Sequence, residues 1–337
     1  MEFGLFGGAM RPVKGDPGDS QAYEAYVDYV IEADRLGYHS AFVIEHHFTG
    51  FGQVSAVLNL LAYLAGRTNR IRLGTAVVVL PWHNPVLLAE QASTVDLLSN
   101  GRLDLGVGRG YRPNEFHGFA IDPDEADDRY NECLDLIRTA WTADGRFSFD
   151  GKYWSYRDII VEPTPIQEPH PPIWVGAGSE RSVRNAARTG CRLLVDQFGT
   201  IDMTCQRIDW YRDEIERNGG TFEPSHVAAA RGLMLVHDDE IDTMEAEFER
   251  RLAGIARLRE ASRIPGDDRS LTVEDHAFYD ATRKSSEAAV IGGTPDECIR
   301  RLKLLQSAGA GQVLLTDGSG GIPRLRFFAD AVMPSFR

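Results

Sequence analysis

The chain has little of what marks secreted, membrane-embedded or nucleic-acid-binding proteins. Its four cysteines, Cys133, Cys191, Cys205 and Cys298, are scattered and form no C-x-x-C pair. They read as reduced thiols rather than a disulfide framework. No stretch reaches the roughly 18 apolar residues that a membrane span needs. Met1 leads straight into a short apolar run, without the basic segment of a signal peptide. Basic residues number 36 against 50 acidic ones, for a net charge of -14. That balance argues against nucleic acid, whose phosphates are bound mainly through Lys and Arg. The sequence contains no G-x-x-x-x-G-K-[ST] loop, no G-x-S-x-G elbow and no zinc-type cysteine or histidine spacing. The expectation is a cytoplasmic protein with no metal site and with neither membrane nor nucleic acid as partner.

What is present is an alternation of short apolar runs and longer amphipathic segments. Strands are predicted at 3–6, 40–44, 71–79, 103–107, 173–175, 192–195, 228–236 and 312–316. Helices are predicted between them, the first from Tyr23 to Leu36 and ending at Gly37. Strand-helix units in succession indicate a parallel sheet flanked by helices. Eight strands in one series favour a closed (β/α)8 barrel, and 337 residues lie within the range of about 200 to over 400 for such barrels. The whole chain, 1–337, is expected to be one barrel domain with insertions. The segment from Gly145 to Pro172, with alternating aromatics and five prolines, reads as a hairpin-like excursion and a connector. Ser262 to Ser286 is polar and weakly patterned, a candidate lid or a plain surface loop. Thr294-Pro295-Asp296-Glu297 has the form of a helix start, with a capping threonine.

Three rim motifs carry chemistry. In Leu103 to Gly110 the glycines suggest a dinucleotide fingerprint, but Tyr111 stands where G-x-G-x-x-G needs its third glycine and Arg112-Pro113 is a poor helix opening. The better reading is a strand whose end projects Arg109 between small neighbours. That guanidinium suits a phosphate, or else a rim carboxylate at the surface. In Val175 to Ser182 a strand runs into a helix through glycines and two hydroxyls. This is a phosphate cradle, or a simple N-cap by Ser179. Glu45-His46-His47-Phe48 follows the second strand. Adjacent histidines splay apart, so a hydrogen-bonding or acid/base role suits them better than metal ligation.

Taken together, four blocks resemble the bacterial luciferase-like, flavin-dependent monooxygenases, in the order found in the luciferase alpha subunit. They are Glu45 to Gly52, Gly74 to Pro81, Leu98 to Arg102 with Gly106 to Gly110, and Gly293 to Cys298. The resemblance implies a (β/α)8 barrel binding reduced FMN at its C-terminal rim. His46 then stands in the place of the catalytic histidine. Arg109, Ser179 and Ser182 match the FMN-phosphate contacts. Ala76 and Val77 match a non-proline cis peptide beneath the flavin ring. Gly108 replaces the reactive cysteine of luciferase, so light emission is not carried over.

The reaction so implied is monooxygenation of a small organic substrate by O2 through a flavin C4a-hydroperoxide. A separate flavin reductase supplies the FMNH2, because the chain has no NAD(P)H motif of its own. The resemblance also implies a homodimer. Two alternatives stand beside it: a deazaflavin (F420)-dependent dehydrogenase and a flavin-binding barrel without turnover.

Overall fold

The apolar runs become parallel strands because their side chains alternate between two apolar layers, one inside a cylinder and one beneath a ring of helices. The computed structural model describes residues 1–10, 18–264, 266, 283–316 and 320–337. The strands are β1 (Glu2–Gly7), β2 (Ser40–Val43), β3 (Arg72–Thr75), β4 (Val78–Val79), β5 (Leu103–Gly108), β6 (Phe147–Asp150), β7 (Ser155–Ile159), β8 (Ile173–Gly176), β9 (Arg192–Val195), β10 (Val227–Leu235), β11 (Ile291–Gly293) and β12 (Gln312–Thr316). The helices are α1 (Asp19–Leu36), α2 (Val57–Ala65), α3 (Pro85–Leu98), α4 (Pro113–Gly118), α5 (Ala126–Thr142), α6 (Glu180–Arg188), α7 (Ile201–Arg217), α8 (Met244–Ala261), α9 (Arg283–Ala289), α10 (Pro295–Ala308) and α11 (Gly321–Ala331). Strands β1, β2, β3, β5, β8, β9, β10 and β12 pair in that order, and β12 returns to β1 to close the barrel. The architecture is the expected (β/α)8 barrel.

Alternation along each strand separates the layers. Phe42, Trp174, Leu194, Ala228, Ala230 and Leu314 pack together inside the barrel, with Phe6, Ala76 and Val77 toward its mouth. Their neighbours Val43, Val175, Val195, Val227 and Leu315 face the helices. Bulky interior groups need gaps opposite them. A Cβ at Gly74 would lie 2.5 Å from the Phe42 ring, and one at Gly106 only 1.8 Å from the Thr75 carbonyl oxygen. Polar interior residues close the N-terminal end, where Arg72 and the Trp174 indole both donate to Asp104.

Several details differ from the sequence reading. The strand expected over 71–79 is broken: β3 stops at Thr75, the Ala76–Val77 peptide is cis, and β4 resumes on β5. Arg112-Pro113 does open a helix. Pro113 sits at the first helical position of α4, where no backbone N–H is needed. Thr294 holds the N-cap position of α10, but its side chain makes no capping hydrogen bond. The excursion after Gly145 is the β6–β7 hairpin, whose Phe147 and Trp154 pack on the outer apolar layer. The heart of the candidate lid, 265 and 267–282, lies outside the described residues, and 283–286 begin α9 rather than continue a loop.

Replacing Gly106 by alanine drives a methyl group into the Thr75 carbonyl. The expected cost is about 1–3 kcal/mol or more, measured as a lowered urea midpoint. Gly66→Ala, whose Cβ would meet only an ordinary contact at 3.7 Å, serves as the control and unfolds near the wild-type midpoint.

Candidate active site

The C-terminal ends of β2, β3, β5 and β8 are consecutive around the barrel, and each carries one sequence-predicted site group. His46 follows β2, the Ala76–Val77 peptide follows β3, Arg109 follows β5, and Ser179 follows β8. Backbone bonds lock this arc. The Ala76 amide donates to the Val43 carbonyl at 2.7 Å, and the Thr75 hydroxyl donates to the Gly106 carbonyl at 2.6 Å. Val77 spans the next two strand ends. A Cβ at Gly108 would lie 2.4 Å from its Cγ2, and one at Gly176 would lie 3.2 Å from its Cγ1. Three adjacent loops therefore approach one another around a single small apolar side chain.

His46 and His47 diverge, as neighbours on an extended chain must. His47 turns to Glu45, whose buried carboxylate also takes His83 at 3.0 Å. Burial alone would raise the Glu45 pKa, but hydrogen bonds and charge from the two histidines outweigh it and hold it low. His46 turns the other way. Its Nδ1 lies 3.0 Å from Glu115 Oε1, and the same oxygen accepts the His47 amide at 3.0 Å. A carboxylate oxygen already accepting an N–H sets Nδ1 as a donor, which leaves His46 Nε2 as the nitrogen with a lone pair. Burial pushes the His46 pKa below 6.5, the Glu115 hydrogen bond opposes this, and the Arg112 charge adds to the fall. At neutral pH the ring is uncharged.

The side that carries Arg109 and Ser179 is different. Arg109 is half exposed and donates to Asp127 at 3.3 Å. Ser179 caps α6: its Oγ accepts the Ser182 amide at 3.2 Å, and its own amide donates to Ser182 Oγ at 3.1 Å. In this state the arginine pairs a rim carboxylate and the serines form a capping box. Because β5 and β8 pair directly, with Val107 opposite Val175, the two groups leave from adjacent strand ends.

A family model described as luciferase-like monooxygenase matches residues 1–312. The chain belongs to the luciferase-like monooxygenases. Within this family it is 29% identical to the oxygenase component of the flavin-dependent trigonelline monooxygenase of Acinetobacter baylyi, over 92% of this chain and 87% of that protein. Among solved structures, the monooxygenase RslO1 of Streptomyces bottropensis superposes with a TM-score of 0.83 at 25% identity over the full length of both chains. An F420-dependent secondary alcohol dehydrogenase shares the fold, with a TM-score of 0.77 at 17% identity over 100% of this chain and 99% of that one. Among the described residues of this luciferase-like monooxygenase, no helix is long and apolar enough to cross a membrane.

Sequence reasoning missed Glu115, His83 and the ion pair of Arg207 with Asp196. Glu115 had a legible signal, since proline at a first helical position marks the start of α4. The others are brought in from α7 and from the short helical turn after β4, which no local pattern announces. Replacing Glu115 by glutamine removes the charge that favours protonated His46. The His46 titration midpoint, followed by NMR of the ring Cε1–H, is expected to fall further below its wild-type position.

Proposed function

We propose that this chain is the oxygenase component of a two-component, FMN-dependent monooxygenase acting on a small organic substrate with O2. The reading rests on one observation: four adjacent strand ends present an uncharged histidine, a small apolar platform, a guanidinium and a capped helix start in consecutive order.

The residues present fit a flat ring with an anionic tail. Gly108 and Gly176 carry no side chain beside Val77, so the platform is low and apolar, as one face of a flat ring requires. The Thr316 hydroxyl, at the mouth end of β12, is buried without a hydrogen-bond partner. Arg109 is held by an exposed ion pair with Asp127. Such pairs contribute about 0–1 kcal/mol, so a phosphate dianion displaces Asp127 readily. The Ser179 and Ser182 hydroxyls can turn to donate, and α6 directs its first-turn amides and positive dipole end toward the same tail.

Reduced FMN, when bound, supplies the electrons that activate O2, leaving one oxygen in the substrate and one in water. The protein orients and shields that chemistry. His46 Nε2, unprotonated and backed by Glu115, accepts or relays a proton at the reacting oxygen or substrate atom. Tyr111 packs edge-on against the His46 ring with centroids 6.3 Å apart, and Glu115, the hydrogen-bond partner of its Nδ1, is buried.

A separate reductase fits both the missing nicotinamide motif and the relative's designation as an oxygenase component. FMN is favoured over a deazaflavin because the flavin-dependent relative matches by sequence over most of the chain, whereas the F420 enzyme shares the fold alone. A cytoplasmic setting follows from the reduced thiols. Calorimetry should detect FMN binding, and oxygen uptake should follow reduced FMN rather than a reduced deazaflavin. His46→Ala should cut coupled oxygenation by roughly 10²- to 10⁴-fold while FMN still binds. Wild-type coupling in that variant removes His46 from the reaction.

The chain is also proposed to pair with a second copy through α2 and α3. Tyr63, Leu87 and Leu98 are exposed there at 53%, 54% and 60%. Between the two leucines the outer stripe of α3 carries Gln91 and Thr94, with no charge. The Arg67 guanidinium lies 5.4 Å over the Tyr63 ring, and in a chain of net charge -14 a stripe of exposed leucines without charge on α3 suits self-association. Sedimentation should show a dimer that Leu98→Glu converts to a monomer.

A further inference from the structure

Behind the anion side of the rim lies a buried network that the site residues do not include. Arg207 extends from α7 and is 2% exposed. Its Nε donates to the Gly178 carbonyl at 2.8 Å, and its Nη1 donates to Asp196 Oδ2 at 2.8 Å. The other oxygen of Asp196 accepts the amides of Phe198 and Gly199 at 2.8 and 3.0 Å. One ion pair thus folds the loop after β9 and ties it to the loop after β8. From the far side Arg231, fully buried on β10, donates to the Asp196 carbonyl at 2.7 Å.

Both loops make room for the guanidinium. A Cβ at Gly199 would stand 2.7 Å from Arg207 Nη1, and one at Gly178 would stand 3.3 Å from Nη2. A side chain at 199 would displace the guanidinium, and one at 178 would crowd it. The bond to Gly178 has a directional consequence. The Gly178 carbonyl and the Ser179 N–H belong to one planar peptide, and in a trans peptide they point in opposite directions. Holding the carbonyl against Arg207 aims the Ser179 N–H away from the network, where it meets Ser182 Oγ at 3.1 Å. The direction of both hydroxyls follows from that plane.

We infer that the ion pair between buried Arg207 and half-buried Asp196 is a positioning device that sets the orientation of the Ser179–Ser182 anion cradle and hence the preference for a phosphorylated over an unphosphorylated flavin. The inference rests on the function proposed above. Arg207 touches no ligand in this scheme; it acts through the Gly178–Ser179 peptide. The fork geometry matters as much as the charge, because a lysine ammonium is a point donor that does not hold a carbonyl and a carboxylate in one fixed plane.

Two measurements on the full chain test the inference, with Arg207→Lys and Asp196→Asn as the variants. The first is amide hydrogen exchange over residues 177–182 without ligand. Exchange should speed up in both variants while α1 exchanges as in the wild type. The second is the ratio of affinities for FMN and riboflavin by calorimetry. FMN binding should weaken roughly ten-fold, the equivalent of one charge-assisted hydrogen bond, while riboflavin binding stays within about two-fold. Should either variant fold poorly, Gly199→Ala perturbs the same guanidinium more gently and is read in the same two ways. Wild-type exchange over 177–182, or an unchanged ratio in folded variants, overturns the inference. A wild-type chain that binds neither flavin overturns the proposed function instead, and the exchange experiment still decides whether the pair orients the cradle.

Discussion

Along the interior face of β5, Gly106 and Gly108 leave an empty track, and the chain leaving β3 occupies it. The Thr75 carbonyl lies 1.8 Å from where a Gly106 Cβ would stand, and a Val77 methyl lies 2.4 Å from the corresponding point at Gly108. No other residue type fits either position without moving backbone or the platform itself. Because Thr75 also bonds the Gly106 carbonyl and Ala76 bonds the Val43 carbonyl, the ends of β2, β3 and β5 become one rigid piece. That piece carries His46, Ala76, Val77 and Arg109, so their relative placement follows from a packing constraint between two strands.

Electrostatics then divides the rim. On one side lie the buried carboxylates Glu45 and Glu115, each holding histidine, with His46 kept uncharged by burial. On the other side lie guanidinium groups. Arg231 remains cationic at neutral pH even though burial brings its pKa down to about 10. The division is not complete: the Arg112 charge adds to the lowering of the His46 pKa, and Asp127 pairs with Arg109. On the cationic side, the Asp196 carboxylate accepts hydrogen bonds from Arg207 and two backbone amides.

The four blocks that resemble the family proved to have different physical duties. Leu98 to Arg102 is not at the site. Asn100 and Gly101 have positive φ, and Arg102 donates to the carbonyls of Ala65, Thr68, Ile71 and Ser99, bracing the end of the barrel opposite the mouth. Gly74 to Pro81 supplies interior space and the platform, and Glu45 to Gly52 supplies the histidines. A short motif read in isolation does not reveal whether it serves folding or chemistry; its strand end does.

The eight strands, their order along the chain and the helices between them were legible because strand and helix periodicities are local, and local side-chain patterns determine which face each element buries. Arg109, Ser179 and His46 were legible as candidates for the same reason, since each follows a strand directly. Tertiary structure alone decided that the stretch from 71 to 79 breaks at Thr75, because the cause is the missing side chains of β5 about thirty residues further on. It alone brought Glu115 to His46 and Arg207 to Gly178, across separations of 69 and 29 residues. Hydrogen bonds and ion pairs of that span depend on barrel closure, and no periodic pattern in the chain encodes which distant side chain closure will deliver.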